Sequence, residues 1–274
     1  MTVAFVLQGG GGLAATQVGQ LRALREFGIT PDLMVGTSSG ALNAVAFAQD
    51  PTDVGLERLE RLWTGLRRGD VFPLDALGVL GGLVDVVTGL IGWRDGLVSP
   101  TRLRALIERN LMVSRLEDTA IPVHVVATDM GSGQPIVLSA GPALDALLAS
   151  TALPGVFPPV VIEGRPLVDG GVAADTPIRQ AEDLGATVTY VLPTVSSAPP
   201  WQLPRGAVPV LLRAISQVLG HASATDLSAA RNEVHVLPAP SRIPSSPFDF
   251  RSAAELIAAG YDEAKAALDH RTAA

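Results

Sequence analysis

Short β-branched runs recur along the chain at residues 3–7, 33–35, 123–127, 188–192 and 234–237, apolar along their length rather than at alternate positions. Continuous apolar runs of this length predict strands buried on both faces. Between them lie stretches with helical spacing. Residues 17–27 place Val18, Leu21, Leu24 and Phe27 on one stripe, and residues 56–66 do the same with Leu59, Leu62, Trp63 and Leu66. Strand and helix in alternation predict a parallel α/β sheet covered by helices. The Ala-rich stretch 252–268 closes the pattern as an amphipathic helix whose packing stripe holds Ile257, Tyr261 and Ala264. Proline-rich stretches at 193–209 and 238–247 read as surface loops, because neither separates two segments that could each hold a core. The 274 residues are therefore read as one domain.

Composition narrows the chemistry. With 47% hydrophobic and 17% charged residues, the chain has ample material for a large core. The net charge of −7 and the absence of any basic run argue against a nucleic-acid partner. No cysteine is present, which excludes disulfides, thiolate metal sites and a cysteine nucleophile. No His-x-x-x-His pair occurs either, so neither a metal nor a cofactor is expected. The first residues run straight from an apolar strand into glycines with no basic leader, and the expected location is cytoplasmic. Residues 73–93 are apolar, but Asp75, Asp85 and several glycines break them well short of the ~20 residues a bilayer requires. The stretch at about 70–98 is read either as an apolar cap that touches a membrane surface transiently or as a buried hairpin of the core.

Two glycine-bearing turns follow the first two strands. Leu33-Met34-Val35 leads into Gly36-Thr37-Ser38-Ser39-Gly40 and then into a helical run, the strand, turn and helix of a nucleophile elbow. In such a turn Gly36 and Gly40 let strand and helix pass closely, and Ser38 projects its hydroxyl above the sheet. The first strand ends in Gln8-Gly9-Gly10-Gly11-Gly12, which lines up bare amides at a helix start and predicts an anion site. A dinucleotide fingerprint is the rival reading. It calls for an acid after the second strand, where this chain has Gly36-Thr37-Ser38, and a P-loop is ruled out by the lack of any Gly-Lys-Ser/Thr. An oxyanion hole formed by Gly9, Gly10 and Gly11 fits better.

The base is sought next. His124 and His235 lie inside apolar strand runs, His270 lies near the end, and His221 follows Gly220; all four read as structural. Asp169, which ends a short strand before Gly170 and Gly171, is the stronger candidate, with an ordinary Asp-Gly hairpin turn as the competing reading.

The ordered set of Gly9 to Gly11, Gly36-x-Ser38-x-Gly40 and Asp169-Gly170-Gly171, with the approach Ala149-Ser150-Thr151-Ala152-Leu153-Pro154, resembles the patatin-like phospholipase family over most of the chain. The resemblance implies a three-layer α/β/α sandwich with a mainly parallel sheet. It also implies a Ser38–Asp169 dyad acting on a lipid or acyl ester through an acyl-enzyme, with no catalytic histidine. One position departs from the pattern: Leu13 stands where the family usually carries Arg or Lys, so the loop lacks its nearby cation. A weakly active or non-catalytic lipid-binding relative, and an acyltransferase, stay open beside the hydrolase.

Overall fold

The computed structural model describes residues 1–72, 98–194, 227–240 and 247–272. The apolar stretch at 73–93, His221 and most of the first proline-rich loop lie outside these residues. Within them, one sheet contains β1 (Val3–Leu7), β2 (Leu33–Thr37), β3 (Val123–Asp129), β4 (Pro135–Leu138), β5 (Val160–Ile162), β6 (Arg165–Asp169), β7 (Val188–Leu192) and β8 (Glu233–Val236). Strand β1 runs parallel to β2 and β7, β2 to β3, and β7 to β8. Strands β4 and β6 pair antiparallel with β3, and β5 pairs antiparallel with β6. The sheet is thus mainly parallel with an antiparallel flank. That flank escapes the apolar-run reading because β4 and β5 are short and partly exposed. Strand β8 departs from the both-faces-buried expectation: as the edge strand it exposes Glu233 and Val236.

Alternation along β1 shows why three layers form. Phe5 and Leu7 join Met34 in packing against Leu21 and Leu24 of α1 (Ala15–Glu26), Val45 of α2 (Ser39–Gln49), Leu59 of α3 (Asp53–Gly65) and Ile257 of α9 (Ala253–Thr272). Ala4 and Val6 join Val35 on the opposite face, against Ala174 of α7 (Gly171–Ala174) and Ile178 of α8 (Ile178–Asp183). The fold is a three-layer α/β/α sandwich. The remaining α-helices among the described residues are α4 (Arg68–Val71), α5 (Thr101–Asn110) and α6 (Ala143–Ser150).

One detail of register positions the site. Val125 and Val126 pair with both β2 and β4, so those strands occupy opposite edges of β3. Ala127 and Thr128 pair with both β4 and β6, which are therefore also on opposite edges. Strands β2 and β6 consequently share one edge of β3 and run at each other head-on. Thr37, the last residue of β2, pairs with Val126, and Asp169, the last of β6, pairs with Ala127. The chain must leave the sheet at Ser38 because β6 occupies the next pairing position.

Candidate active site

Ser38 makes that exit with φ 54° and ψ −126°, a left-handed conformation that costs a non-glycine residue about 1–3 kcal/mol. The surroundings hold it there. A methyl group on Gly36 would lie 2.7 Å from Ala41 Cα, and one on Gly40 would lie 2.5 Å from Gln8 O. Both glycines are therefore required by close approach, and the strand and helix meet through bare backbone. The Ser38 amide donates to Ser150 Oγ at 2.8 Å, and that hydroxyl donates onward to Val126 O at 2.6 Å, tying the elbow to β3. The N-terminus of α2 starts at Ser39, so its partial positive charge lies beside the serine.

Ser38 Oγ donates to Asp169 Oδ2 at 2.7 Å, and Asp169 Oδ1 accepts the Gly171 amide at 2.8 Å. Asp169 is buried, and burial pushes its carboxyl up to about 6 against the hydrogen bonds from Ser38 and Gly171 that pull it down. Its backbone is anchored as well, N–H to Ala152 O and C=O from the Thr128 hydroxyl. The hairpin reading of Asp169-Gly170 does not describe this turn. Gly170 has helical dihedrals and leads into α7.

The glycine loop flanks the serine. A methyl group on Gly9 would lie 3.3 Å from Ser38 Cβ and 2.6 Å from Asp175 Oδ1. The three glycines that the sequence reading places in the oxyanion loop, Gly9, Gly10 and Gly11, differ in what their amides meet. The Gly9 amide donates to Asp175 O at 3.2 Å, and the Gly12 amide to Pro247 O at 2.6 Å. The amides of Gly10 and Gly11 have no hydrogen-bond acceptor among the described residues. They stand at the start of the 3-10 turn Gly11–Ala14, where N–H groups lack partners within the helix. Gly11 has φ 59°, which only a residue without Cβ adopts at little cost. Leu13 is buried in the core on the helix side of this turn.

Of the described histidines, two make contacts away from the dyad and one is exposed. His124 Nδ1 hydrogen-bonds Ser139 Oγ at 2.7 Å, with burial holding its pKa below the ordinary value. His235 packs on Tyr190, ring centroids 4.8 Å apart, and pairs with Glu233 at the sheet edge. His270 is exposed on α9. Among the described residues no group of His, Cys, Asp and Glu is arranged to hold a metal ion, and no helix is long and apolar enough to cross a membrane.

Sequence reading missed the buried polar residues beneath the loop. Gln17 Nε2 bridges Gln8 O at 2.8 Å and Leu192 O at 2.9 Å, joining the ends of β1 and β7. Asn43 Nδ2 donates to Gln17 Oε1 and Ala14 O, and Asn43 Oδ1 accepts from Trp63 Nε1 at 2.7 Å. A usable signal exists: Asn43 is the one polar residue in the run Ala41-Leu42-Asn43-Ala44-Val45-Ala46, so its amide needs buried partners. Beside Asp169, the loop after α6 carries Phe157, whose ring stacks on Phe72 at 5.8 Å, and Phe72 meets Phe248 edge-on at 5.2 Å.

A model of the patatin-like phospholipase family matches residues 5–182. A patatin-like phospholipase domain-containing protein of Caenorhabditis elegans is 31% identical over 187 residues, 67% of this chain and 13% of that protein. Lysophospholipase nte1 of Aspergillus terreus is 29% identical over 191 residues, 70% of this chain and 12% of that protein. The chain thus spans only a small part of these relatives. Among solved structures, VipD from Legionella pneumophila shares the fold at TM-score 0.53 and 15% identity, covering 98% of this chain and 67% of that one.

Proposed function

The chain belongs to the patatin-like phospholipase family, and from that premise we propose that it hydrolyses carboxylic esters of lipids through an acyl-enzyme on Ser38. The observation that carries this reading is the 2.7 Å hydrogen bond from Ser38 Oγ to Asp169 Oδ2, next to a glycine loop in which the Gly10 and Gly11 amides have no acceptor among the described residues. Ser38 Oγ attacks the acyl carbonyl while its proton passes to Asp169. The carbonyl oxygen becomes an oxyanion held by the Gly10 and Gly11 amides. Collapse breaks the ester bond, and the leaving alkoxide takes the proton back from Asp169. Water then gives a proton to Asp169 as it attacks the acyl-serine; collapse breaks the bond between the acyl carbon and Ser38 Oγ, and Asp169 returns the proton to Ser38 as the fatty acid leaves. A carboxyl raised to about 6 is a better base than an ordinary aspartate yet stays ionised at neutral pH.

The substrate class is taken from the family. Phospholipids and lysophospholipids, met at a membrane surface, are the proposed substrates. No metal or cofactor takes part in the proposed steps. Steady-state rates on a chain-length series of p-nitrophenyl esters test the reading. Ser38→Ala and Asp169→Asn should each lose at least about 10³-fold in kcat, and a fluorophosphonate should label Ser38 in the wild type. Equal rates in all three proteins overturn the hydrolase reading. Product analysis with an added alcohol separates hydrolysis from acyl transfer.

A further inference from the structure

Thr194 lies just beyond the end of β7 and is buried. Its hydroxyl donates to Gly9 O at 2.8 Å, and its amide donates to Gln8 Oε1 at 3.0 Å. Gln8 Nε2 donates in turn to Asp175 Oδ2 at 2.9 Å, and Asp175 O accepts the Gly9 amide. Gly9 is thereby held at both of its polar groups. The contact with the next residue is equally close: a methyl group on Gly10 would lie 2.8 Å from Thr194 Cβ and 3.0 Å from Cγ2.

This clamp has a geometric consequence. In a trans peptide the carbonyl of one residue and the amide of the next lie in one plane and point in opposite directions. Fixing Gly9 C=O on the Thr194 hydroxyl therefore fixes the Gly10 N–H, aimed away from Thr194. Donation to the carbonyl also polarises the peptide and makes its N–H a stronger donor. We propose that Thr194 is a positioning residue of the acyl-transfer site, aiming the Gly10 amide at the oxyanion through the Gly9 carbonyl, with Gln8 and Asp175 holding it in place. The proposal rests on reading the Gly10 and Gly11 amides as the oxyanion donors.

The test compares full-length wild type, Thr194→Val, Thr194→Ala and Thr194→Ser on a p-nitrophenyl ester. Thr194→Val keeps the shape and removes the donor, so kcat should fall about 10- to 100-fold with KM within about twofold. Thr194→Ser keeps the donor and should recover kcat to within about threefold of wild type. The rate of Ser38 phosphonylation by an alkyl fluorophosphonate, whose phosphoryl oxygen enters the same position, should fall in parallel with kcat. A folded Thr194→Val protein with near-wild-type kcat, or a Thr194→Ser protein as slow as Thr194→Val, overturns the proposal. If the valine variant does not fold, the alanine and serine pair is read by the same criteria. A wild type without Ser38-dependent hydrolysis overturns the reading of the site instead.

Discussion

Ser38 Oγ and Asp169 Oδ2 are 2.7 Å apart although 131 positions separate them in the chain, because β2 and β6 run head-on along one edge of β3. The pair meets where two strands end, so neither side chain needs a long reach.

A buried base with its pKa raised to about 6 sets a pH profile. Asp169 must be ionised to take the serine proton, so kcat/KM should rise as pH increases through about 6 and level off above it. Initial rates on a neutral ester between pH 5 and 8 check this. A profile already flat at pH 5 removes Asp169 as the titrating base.

The same shift has a stability cost. Below the ordinary value of 3.8 the carboxyl is protonated folded and unfolded, and its charge weighs on neither state. Between 3.8 and about 6 the unfolded chain ionises while the folded one resists, so stability falls as pH rises. Above about 6 the cost is complete, on the order of 3 kcal/mol. Asp169→Asn removes it, and the variant's Tm advantage over wild type should grow between pH 5 and pH 8. A difference that is constant with pH contradicts the origin of the shift in burial.

The legible part of this molecule is what burial and backbone geometry impose on residue type. Gly36 and Gly40 stand where helix and strand backbones touch, and the apolar runs of β1, β2, β3 and β7 stand where both faces are covered. The elbow and Asp169 were visible for that reason. Strands β4 and β5 were not, because half-exposed edge strands keep no continuous apolar run. Gln8, Gln17, Ser150 and Thr194 have roles that do not show in the sequence, for a different reason. Each is polar by type and earns its place through a partner far away in the chain, and spacing carries no record of such partners.

Ser150 should behave as a support of the elbow. Ser150→Ala leaves the Ser38 amide without its acceptor and Val126 O without its donor. Leaving such buried groups unpaired costs about 1–3 kcal/mol, which thermal or denaturant unfolding measures. With the strained turn released, kcat should drop about 10-fold or more while KM stays near wild type. A variant that loses stability with kcat intact shows that the elbow holds its shape without this bond.

Leu13 decides whether the missing loop cation could simply be restored. Its side chain is 6% exposed and packs in the cluster that holds Leu24, Val45 and Leu256, on the core side of the 3-10 turn. An arginine there has to bury a guanidinium among aliphatic groups or drag the turn outward, and an unpaired buried charge costs several kcal/mol. Dragging the turn outward breaks the Gly12 amide bond to Pro247 O and shifts the glycine loop whose Gly9 lies against Ser38. Leu13→Arg should therefore lower Tm sharply and reduce kcat rather than raise it. A variant with wild-type Tm and a faster rate shows instead that the turn has room for a basic side chain and that the leucine, not the packing, limits the site.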